Sequence, residues 1–422
     1  MASILDMAAL LLTLSALFGW LNRRIVQLPH SIGLLVMGLV ASLLLILLDL
    51  AVPDQHIYED LTSAVRQVDF TGVVMNGMLA FLLFAGALGL DLGALRNRAW
   101  PVVTLALAGT AISTAVVGLA FWGVMQVIGQ PVPLAWTLVF GALISPTDPV
   151  AVLATLKNVR VPPDLEIEVQ GEALFNDGVG LVLFTLLLGY AAGSGGEVSI
   201  GTIAHHLVWE AGGGLALGAS TGFLAYRAMR AIDDFPVEVL ITLALVTGTY
   251  ALANRFGMSG PLSVVAAGMI IGDRGVRYAM SDRTQTYVSA LWTLIDEVLN
   301  SVLFLLIGLE VLVLRFEPAA LAVAVAAVPI VLGARLIAVS APLLLFPWSG
   351  RLSAQNIPFL TWAGVHGGIS VALALSLPDV PEKSTILTAT YAVVLFSVII
   401  QGATLGLVAR RTLTAEQKAE AS

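Results

Sequence analysis

The sequence predicts an all-α membrane protein with about thirteen transmembrane helices, and three observations lead to this prediction. The first is composition, because 58% of the 422 residues are hydrophobic and 11% are charged. A soluble chain carries about a quarter charged residues, so the bilayer is the expected solvent. The second is that the apolar residues fall in runs of about twenty, the length that spans the hydrocarbon core as a helix.

The third observation is the placement of the basic residues. Fifteen of the 20 lysines and arginines fall in alternate loops, all on one predicted side of the membrane. Because cytoplasmic loops are enriched in Lys and Arg, this side is predicted to be the cytoplasm. The pattern places the N-terminus outside and the C-terminus inside.

The net charge and the absence of cysteine exclude several classes of binding partner. A net charge of −8 gives no basic surface for a nucleic acid. The chain contains no Cys, which excludes disulfides, thiolate metal sites and cysteine nucleophiles. Small ions and the lipid bilayer are therefore the expected partners, and no cofactor is expected.

The predicted topology divides the chain. A transmembrane domain over 1–411 contains two units of about six helices each, at 4–192 and 237–408, and a linker helix at 202–230 separates them. A short cytoplasmic tail follows at 412–422. The two units begin on opposite sides of the membrane, so we expect them to be inverted repeats.

The fifth and twelfth predicted helices, which correspond in these repeats, contain unusual sequences. One reads Ser-Pro-Thr-Asp-Pro at 145–149 and the other Gly-Val-His-Gly-Gly at 364–368. Proline removes an amide donor and glycine weakens a helix, so both helices are predicted to be discontinuous. Matched interruptions of this kind indicate a transporter's binding site, although simple kinks also occur in membrane helices.

Buried acids are the candidate chemical groups, because a charge inside the membrane is costly. Asp148 lies in the first interruption, and Asp177 follows Asn176 in the next helix. We expect Asp148, Asp177, Asn176 and the Thr147 carbonyl to form a cluster of oxygen ligands for a small cation. The alternative for Asp148 is a cap on the broken helix end.

Glu172 needs a different partner from Asp177. The two are five residues apart, about 140° around a helix, so they cannot share one face. Arg335 is the one strong cation inside a predicted span. A structural ion pair between Glu172 and Arg335 is therefore predicted. Asp296, Glu297 and Glu310 in the tenth predicted helix are further suspects without an assigned role.

Four stretches carry a family resemblance: SPTDPVAV (145–152), GEALFNDGVG (171–180), LNSVLFLLIGLE (299–310) and GGISVALALSLP (367–378). They resemble the bacterial NhaP-like Na+/H+ antiporters of the monovalent cation/proton antiporter superfamily. The resemblance implies the NhaA/NhaP-like antiporter fold, in which the discontinuous helices 5 and 12 cross and a six-helix core bundle moves against a dimerisation domain. It also implies a homodimer in the bacterial inner (cytoplasmic) membrane.

The same resemblance implies a transporter, not an enzyme. It would exchange Na+, and also Li+, for H+ by alternating access, with cation and proton competing for Asp177, helped by Asp148 and the Thr147 backbone. Asn176 resembles the residue that marks the Asn-Asp branch, whose members exchange one proton for one cation electroneutrally.

Three positions depart from the family pattern. Ala85 and Ala173 stand where many relatives carry Glu and Ser, and His366 stands where relatives often carry Arg. Histidine can be neutral or charged between pH 5 and 8. His366 is therefore a candidate for pH modulation, and the alternative is a neutral His that hydrogen-bonds a backbone carbonyl.

Four other functions bear comparison with Na+/H+ exchange. A K+/H+ antiporter of the same fold and a cation channel remain open from sequence. An intramembrane aspartyl protease is disfavoured, because Gly272-Asp273 lacks the Gly-x-Gly-Asp pattern. No His-Glu-x-x-His occurs, which argues against a zinc protease.

Overall fold

A computed structural model describes residues 4–51, 70–149, 152, 161–193, 201, 208–313, 318–345 and 354–413. In these ranges the regular secondary structure is helical. The all-α prediction is therefore confirmed for the part of the chain that the structure describes.

The first seven helices are α1 (Ile4–Leu21), α2 (His30–Ala51), α3 (Phe70–Leu88), α4 (Ala99–Ile128), α5 (Leu134–Ile144), α6 (Pro163–Ala191) and α7 (Gly213–Met229). The next are α8 (Phe235–Arg255), α9 (Gly260–Ile270), α10 (Asp282–Glu310), α11 (Pro318–Leu345), α12a (Ile357–Trp362), α12b (Gly368–Leu375) and α13 (Glu382–Thr412). A short helix, Leu92–Asn97, precedes α4.

Within the described ranges, nine helices are long and apolar enough to cross a membrane. They are α1, α2, α3, α4, α6, α8, α10, α11 and α13. The others are shorter, and α5 and α12 are interrupted. The count of about thirteen spans, the inverted repeats and the residue bounds of the two units stay predictions.

Local sequence signals set several helix ends. Asp91 accepts hydrogen bonds from the first amides of the helix before α4, at 2.7 Å from Gly93 N. Ser259 and Ser281 cap α9 and α10 in the same way. Gly129 ends α4 with φ of +76°, a conformation that glycine adopts without strain.

Helix α6 is longer than its apolar stretch. The apolar residues of the sixth predicted span begin at about Val169, and α6 begins at Pro163. Its first two turns contain acidic residues. One of them, Glu168, is buried at 1% exposure and accepts a hydrogen bond from Arg98 at 3.2 Å. Part of the predicted linker helix, residues 202–207, lies outside the described residues.

The helices pack in two groups. The broken-helix group comprises α4, α5, α6, α11, α12 and α13, and the flanking group comprises α1, α2, α3, α7, α8, α9 and α10. At two contacts between the groups, a leucine packs directly on a glycine. Leu262 of α9 contacts Gly178 of α6, and Leu303 of α10 contacts Gly368 of α12b. A Cβ at either glycine would overlap its leucine, so these two positions allow close approach.

Candidate ion-binding site

The interruption of α5 begins where its helix ends at Ile144. Residues 145–148 are not helical, because Pro146 and Pro149 lack the amide donors that a continuous helix needs. The Ser145 hydroxyl donates to the Gly141 carbonyl at 2.6 Å and lies 3.1 Å from the Thr114 hydroxyl. The Gly141 carbonyl near the end of the helix therefore accepts a side-chain hydroxyl.

The second interruption lies against the first. Between α12a and α12b the chain runs without helical structure, and the Asp148 amide donates to the Val365 carbonyl at 2.6 Å. His366 Nδ1 lies 3.0 Å from the Pro146 carbonyl oxygen. Because a carbonyl only accepts, Nδ1 is the donor in this bond. Two hydrogen bonds therefore join the two breaks where they cross.

A broken helix leaves its last carbonyls without helical partners, and each must find a donor. In α12a, the Phe359 and Thr361 carbonyls accept backbone amides that follow them, at 2.8 and 3.3 Å. The other two carbonyls accept from side chains of neighbouring helices. Arg335 Nη2 donates to Leu360 O and Gln401 Nε2 donates to Trp362 O, both at 3.2 Å.

Asp148 lies between the two breaks. Its carboxylate packs against Gly367, the residue before α12b, so closely that a Cβ on Gly367 would overlap it. The carboxylate therefore lies beside the N-terminal end of α12b. The helix dipole favours a negative charge at that end.

Helix α6 supplies the other half of the cluster. Asn176 Nδ2 donates to the Thr147 hydroxyl oxygen at 2.9 Å, and its Oδ1 accepts the Thr147 amide at 3.4 Å. Asp177 is the next residue and is 5% exposed. Asp148 and Asp177 line the same cavity. The structure therefore brings together Thr147, Asp148, Asn176 and Asp177, as the sequence predicts.

A cavity of about 590 Å³ faces this cluster. Asp148, Asp177 and Thr147 line it, together with the N-terminal residues of α2 and one face of α10. Asp296 and Glu297 are among the residues of that α10 face. Four carboxylates therefore line the cavity, and carboxylate oxygens attract cations.

Glu172 and Arg335 form a bidentate ion pair away from this cavity. Arg335 Nη1 bonds Glu172 Oε1, and Nη2 bonds Oε2 at 2.9 Å. Both residues are buried. Arg335 also donates to Leu360 O, so the pair connects α6 and α11 to the end of α12a. A Cβ on Gly364 would overlap the Arg335 side chain, so glycine there makes room for the pair.

The three positions that depart from the family pattern have different surroundings. His366 is buried and bonded to the Pro146 carbonyl, which favours the carbonyl-bound alternative over pH sensing. Ala173 is also buried. Ala85 lines a separate cavity of about 360 Å³ that Asp296 also lines, so a carboxylate is present there although Ala85 provides none.

Some residues near the site received no role from the sequence. Asp296 accepts a hydrogen bond from Asn300 at 2.9 Å, and His30 Nε2 lies 2.7 Å from the Ser301 hydroxyl. Ser301 in turn donates to a backbone carbonyl of α10, so His30 is the donor to Ser301. The signal in the sequence was an acid and an amide one turn apart on α10, Asp296 and Asn300. Only the fold shows that they face the cavity.

Comparison with known proteins identifies the family. The family model described as "Sodium/hydrogen exchanger, transmembrane" matches residues 11–411. The chain belongs to the sodium/hydrogen exchanger family. It is 43% identical over 413 residues to the Na+/H+ antiporter NhaP of Pseudomonas aeruginosa, with 97% of each chain covered. It is 34% identical to the Na+/H+ antiporter NhaH of Halobacillus dabanensis, with 90% of this chain and 91% of that one covered.

The fold of this sodium/hydrogen exchanger family member also matches a solved structure. The sodium proton antiporter MjNhaP1 of Methanocaldococcus jannaschii superposes with a TM-score of 0.75, at 20% identity, over 97% of this chain and 98% of that one. The resemblance to NhaP-like antiporters and the antiporter fold are thus confirmed. The chain is a multi-pass membrane protein of a transporter family, not an enzyme.

Proposed function

We propose that this protein is a secondary active transporter that exchanges Na+ for H+ across a membrane. The observation that carries the proposal is the oxygen cluster of Asp148, Asp177 and Thr147, at the crossing of two broken helices and on the wall of a cavity. The printed function of the relatives, Na+/H+ antiport, agrees with it.

Competition at one site supplies the coupling. An unpaired buried carboxylate is costly, so Asp177 binds either a proton or a cation. The two cannot occupy the same oxygens together. Either ion neutralises Asp177 and so lowers the negative charge that the site carries across the membrane barrier, whereas the empty site carries one more negative charge, pays the larger charge penalty and stays. Alternating access between two conformations then exchanges one ion for the other.

The remaining residues have supporting roles in this proposal. Asp148 and the Thr147 backbone complete the cation shell, and Asn176 fixes Thr147 through both atoms of its amide. The Glu172–Arg335 pair holds α6 to α11 and to the end of α12a. We place the protein in a bacterial inner membrane as a homodimer, with the N-terminus outside and the C-terminus cytoplasmic.

Transport assays with a cation series test the proposal. Purified protein in liposomes with a trapped pH dye and a preset acid interior is given Na+, Li+, K+ or choline. We expect Na+ and Li+ to dissipate the gradient. Response to K+ alone would indicate the K+/H+ alternative, and cation flux without opposing proton flux would indicate a channel.

Stoichiometry is tested separately. One proton for one Na+ moves no net charge, so we propose that the exchange is electroneutral. A net charge crossing the membrane would couple to voltage at about 2.3 kcal/mol per 100 mV. Initial rates should therefore be equal at clamped potentials of either sign, and a strong dependence on potential rejects one-for-one exchange.

A further inference from the structure

One buried polar cluster outside the ion site has no role so far. Ser397 and Gln401 lie in a π-helical turn of α13, Ser397–Gln401, and both are fully or almost fully buried. The Ser397 hydroxyl donates to Gln401 Oε1 at 2.6 Å. This bond fixes the amide so that Gln401 Nε2 points at the Trp362 carbonyl, 3.2 Å away.

Trp362 is the last residue of α12a. Helix α13 holds it twice, because Gln401 bonds its carbonyl and the Thr404 hydroxyl accepts its indole N–H at 3.0 Å. Gln401 and Thr404 are three residues apart, so they share one face of α13. The position where α12a stops is therefore set from α13.

The segment that leaves Trp362 reaches the ion site within a few residues. Val365 accepts the Asp148 amide at 2.6 Å, and His366 bonds the Pro146 carbonyl at 3.0 Å. Gly367 packs against the Asp148 carboxylate. Five residues therefore connect Trp362 with the contacts on the backbone and side chain of Asp148.

We propose that Gln401 is a positioning residue for the ion site, which acts through the Trp362 carbonyl to fix the interrupted segment 363–367 and with it Asp148. Its part at the break of α12 matches that of Asn176 at the break of α5, since each is an amide side chain from a neighbouring helix that bonds broken backbone. The inference rests on the proposed function, because Asp148 is there a cation ligand.

The test compares Gln401→Leu with a matched control. Leucine keeps the apolar volume and removes the donor. Gln285 is a suitable control, because its Nε2 also donates to backbone carbonyls, Val276 O at 2.8 Å and Met280 O at 3.3 Å, in the connection between α9 and α10. We expect Gln401→Leu to raise the KM for Na+ about tenfold, as loss of an outer-shell partner does, while Gln285→Leu leaves the KM unchanged.

A second readout does not use transport. Na+ that binds the folded protein raises its Tm in detergent. In Gln401→Leu we expect this Na+-dependent rise to shrink, whereas the Tm without Na+ falls only slightly. A lower Tm without Na+, together with an unchanged KM and an unchanged Na+ response, would show a purely structural role and overturn the inference.

Two further variants keep the test decisive if Gln401→Leu does not fold. Ser397→Ala leaves the amide in place but releases its Oε1, and we expect a smaller rise in the Na+ KM. Thr404→Val removes the indole bond to Trp362 and the bond from the Thr404 hydroxyl to the Ile400 carbonyl, and it should raise the KM less than Gln401→Leu does, because the Trp362 carbonyl keeps its donor. An unchanged KM in Ser397→Ala rejects the inference. Wild-type liposomes that show no Na+/H+ exchange reject the proposed function itself.

Discussion

The two broken helices differ in where their polar groups point. At the break of α5, Thr147 and Asp148 line the cavity that Asp177 also lines. At the break of α12, the four carbonyls that end α12a accept donors from the segment itself, from Arg335 and from Gln401. One break therefore presents side-chain oxygens to the cavity, whereas the carbonyls that end α12a at the other break are bonded within the protein.

This difference indicates separate roles for the two breaks, one in binding the cation and one in supporting the site. We interpret the α5 break as the part that receives the cation and the α12 break as the frame that holds it, joined by the Asp148–Val365 and His366–Pro146 hydrogen bonds. Changes at the first break should alter ion binding with little effect on folding. Changes at the second should alter stability or geometry first.

The largest expected effect is at Asp177. Asp177→Asn removes the group for which proton and cation compete, so exchange in liposomes should fall to the rate without protein. The Tm should change little, because asparagine keeps the shape of the side chain. Asp379→Asn is the control, since Asp379 is an exposed acid in the loop before α13. Substantial Na+/H+ exchange by Asp177→Asn would remove Asp177 from the site.

The second effect concerns stability. Glu172→Gln leaves Arg335 as a buried charge without its carboxylate, and breaking such a pair costs about 3–5 kcal/mol. We expect a large fall in Tm in detergent. The double variant Glu172→Leu with Arg335→Met should recover much of it, because it leaves no buried charge.

The matched control for this pair is an exposed one. Arg277 Nε lies 3.1 Å from Asp273 Oδ1, and the Arg277 side chain is 56% exposed. Exposed pairs contribute about 0–1 kcal/mol, so Asp273→Asn should leave the Tm nearly unchanged. Equal effects of Glu172→Gln and Asp273→Asn would show that the buried pair does not hold the α12 break.

A smaller effect is expected where the two breaks touch. In Gly367→Ala the added methyl group would overlap the Asp148 carboxylate and displace it. We expect the KM for Na+ to rise about tenfold, equal to about 1.4 kcal/mol of binding free energy. Gly333→Ala is the control, because a Cβ there meets nothing within 4 Å. Equal KM values for both variants would contradict the placement of Asp148 in the cation shell.

The smallest effect is at His366. His366→Asn keeps a donor for the Pro146 carbonyl but cannot titrate between pH 5 and 8. If the ring only positions the break, the pH profile of exchange should match that of the wild type. His366→Ala, which loses the donor, should lower the rate at every pH. A profile that flattens in His366→Asn supports pH sensing instead.

The sequence was sufficient for much of this architecture because its signals were local. Apolar runs, proline pairs and glycine pairs predicted the helices and the position of both breaks. Because so few charged residues lie inside the apolar spans, Arg335 was the one available partner for Glu172. Gln401 could not be found in that way, because one glutamine in an apolar helix has no meaning until the fold places Trp362 beside it.

The start of α6, with Glu168, is a second feature that the sequence could not show. Three acids at the start of α6 suggest a solvated loop, yet the helix continues through them because Arg98 reaches Asp164 and Glu168 from the start of α4. The compensating charge, Arg98, is about 70 residues away from Glu168 in sequence. A periodic pattern within one helix gives no information about a residue so distant.

The acid-lined cavity has a consequence for how the protein responds to its medium. Asp148, Asp177, Asp296 and Glu297 line one cavity whose only other titratable residue among the described lining positions is His30. Such a cavity concentrates monovalent counterions near its wall, and an inert electrolyte weakens that enrichment over a Debye length of about 10 Å at 0.1 M. Choline chloride, although not transported, should therefore lower the Na+ concentration near the cavity wall. Na+ should become a poorer substrate as a result.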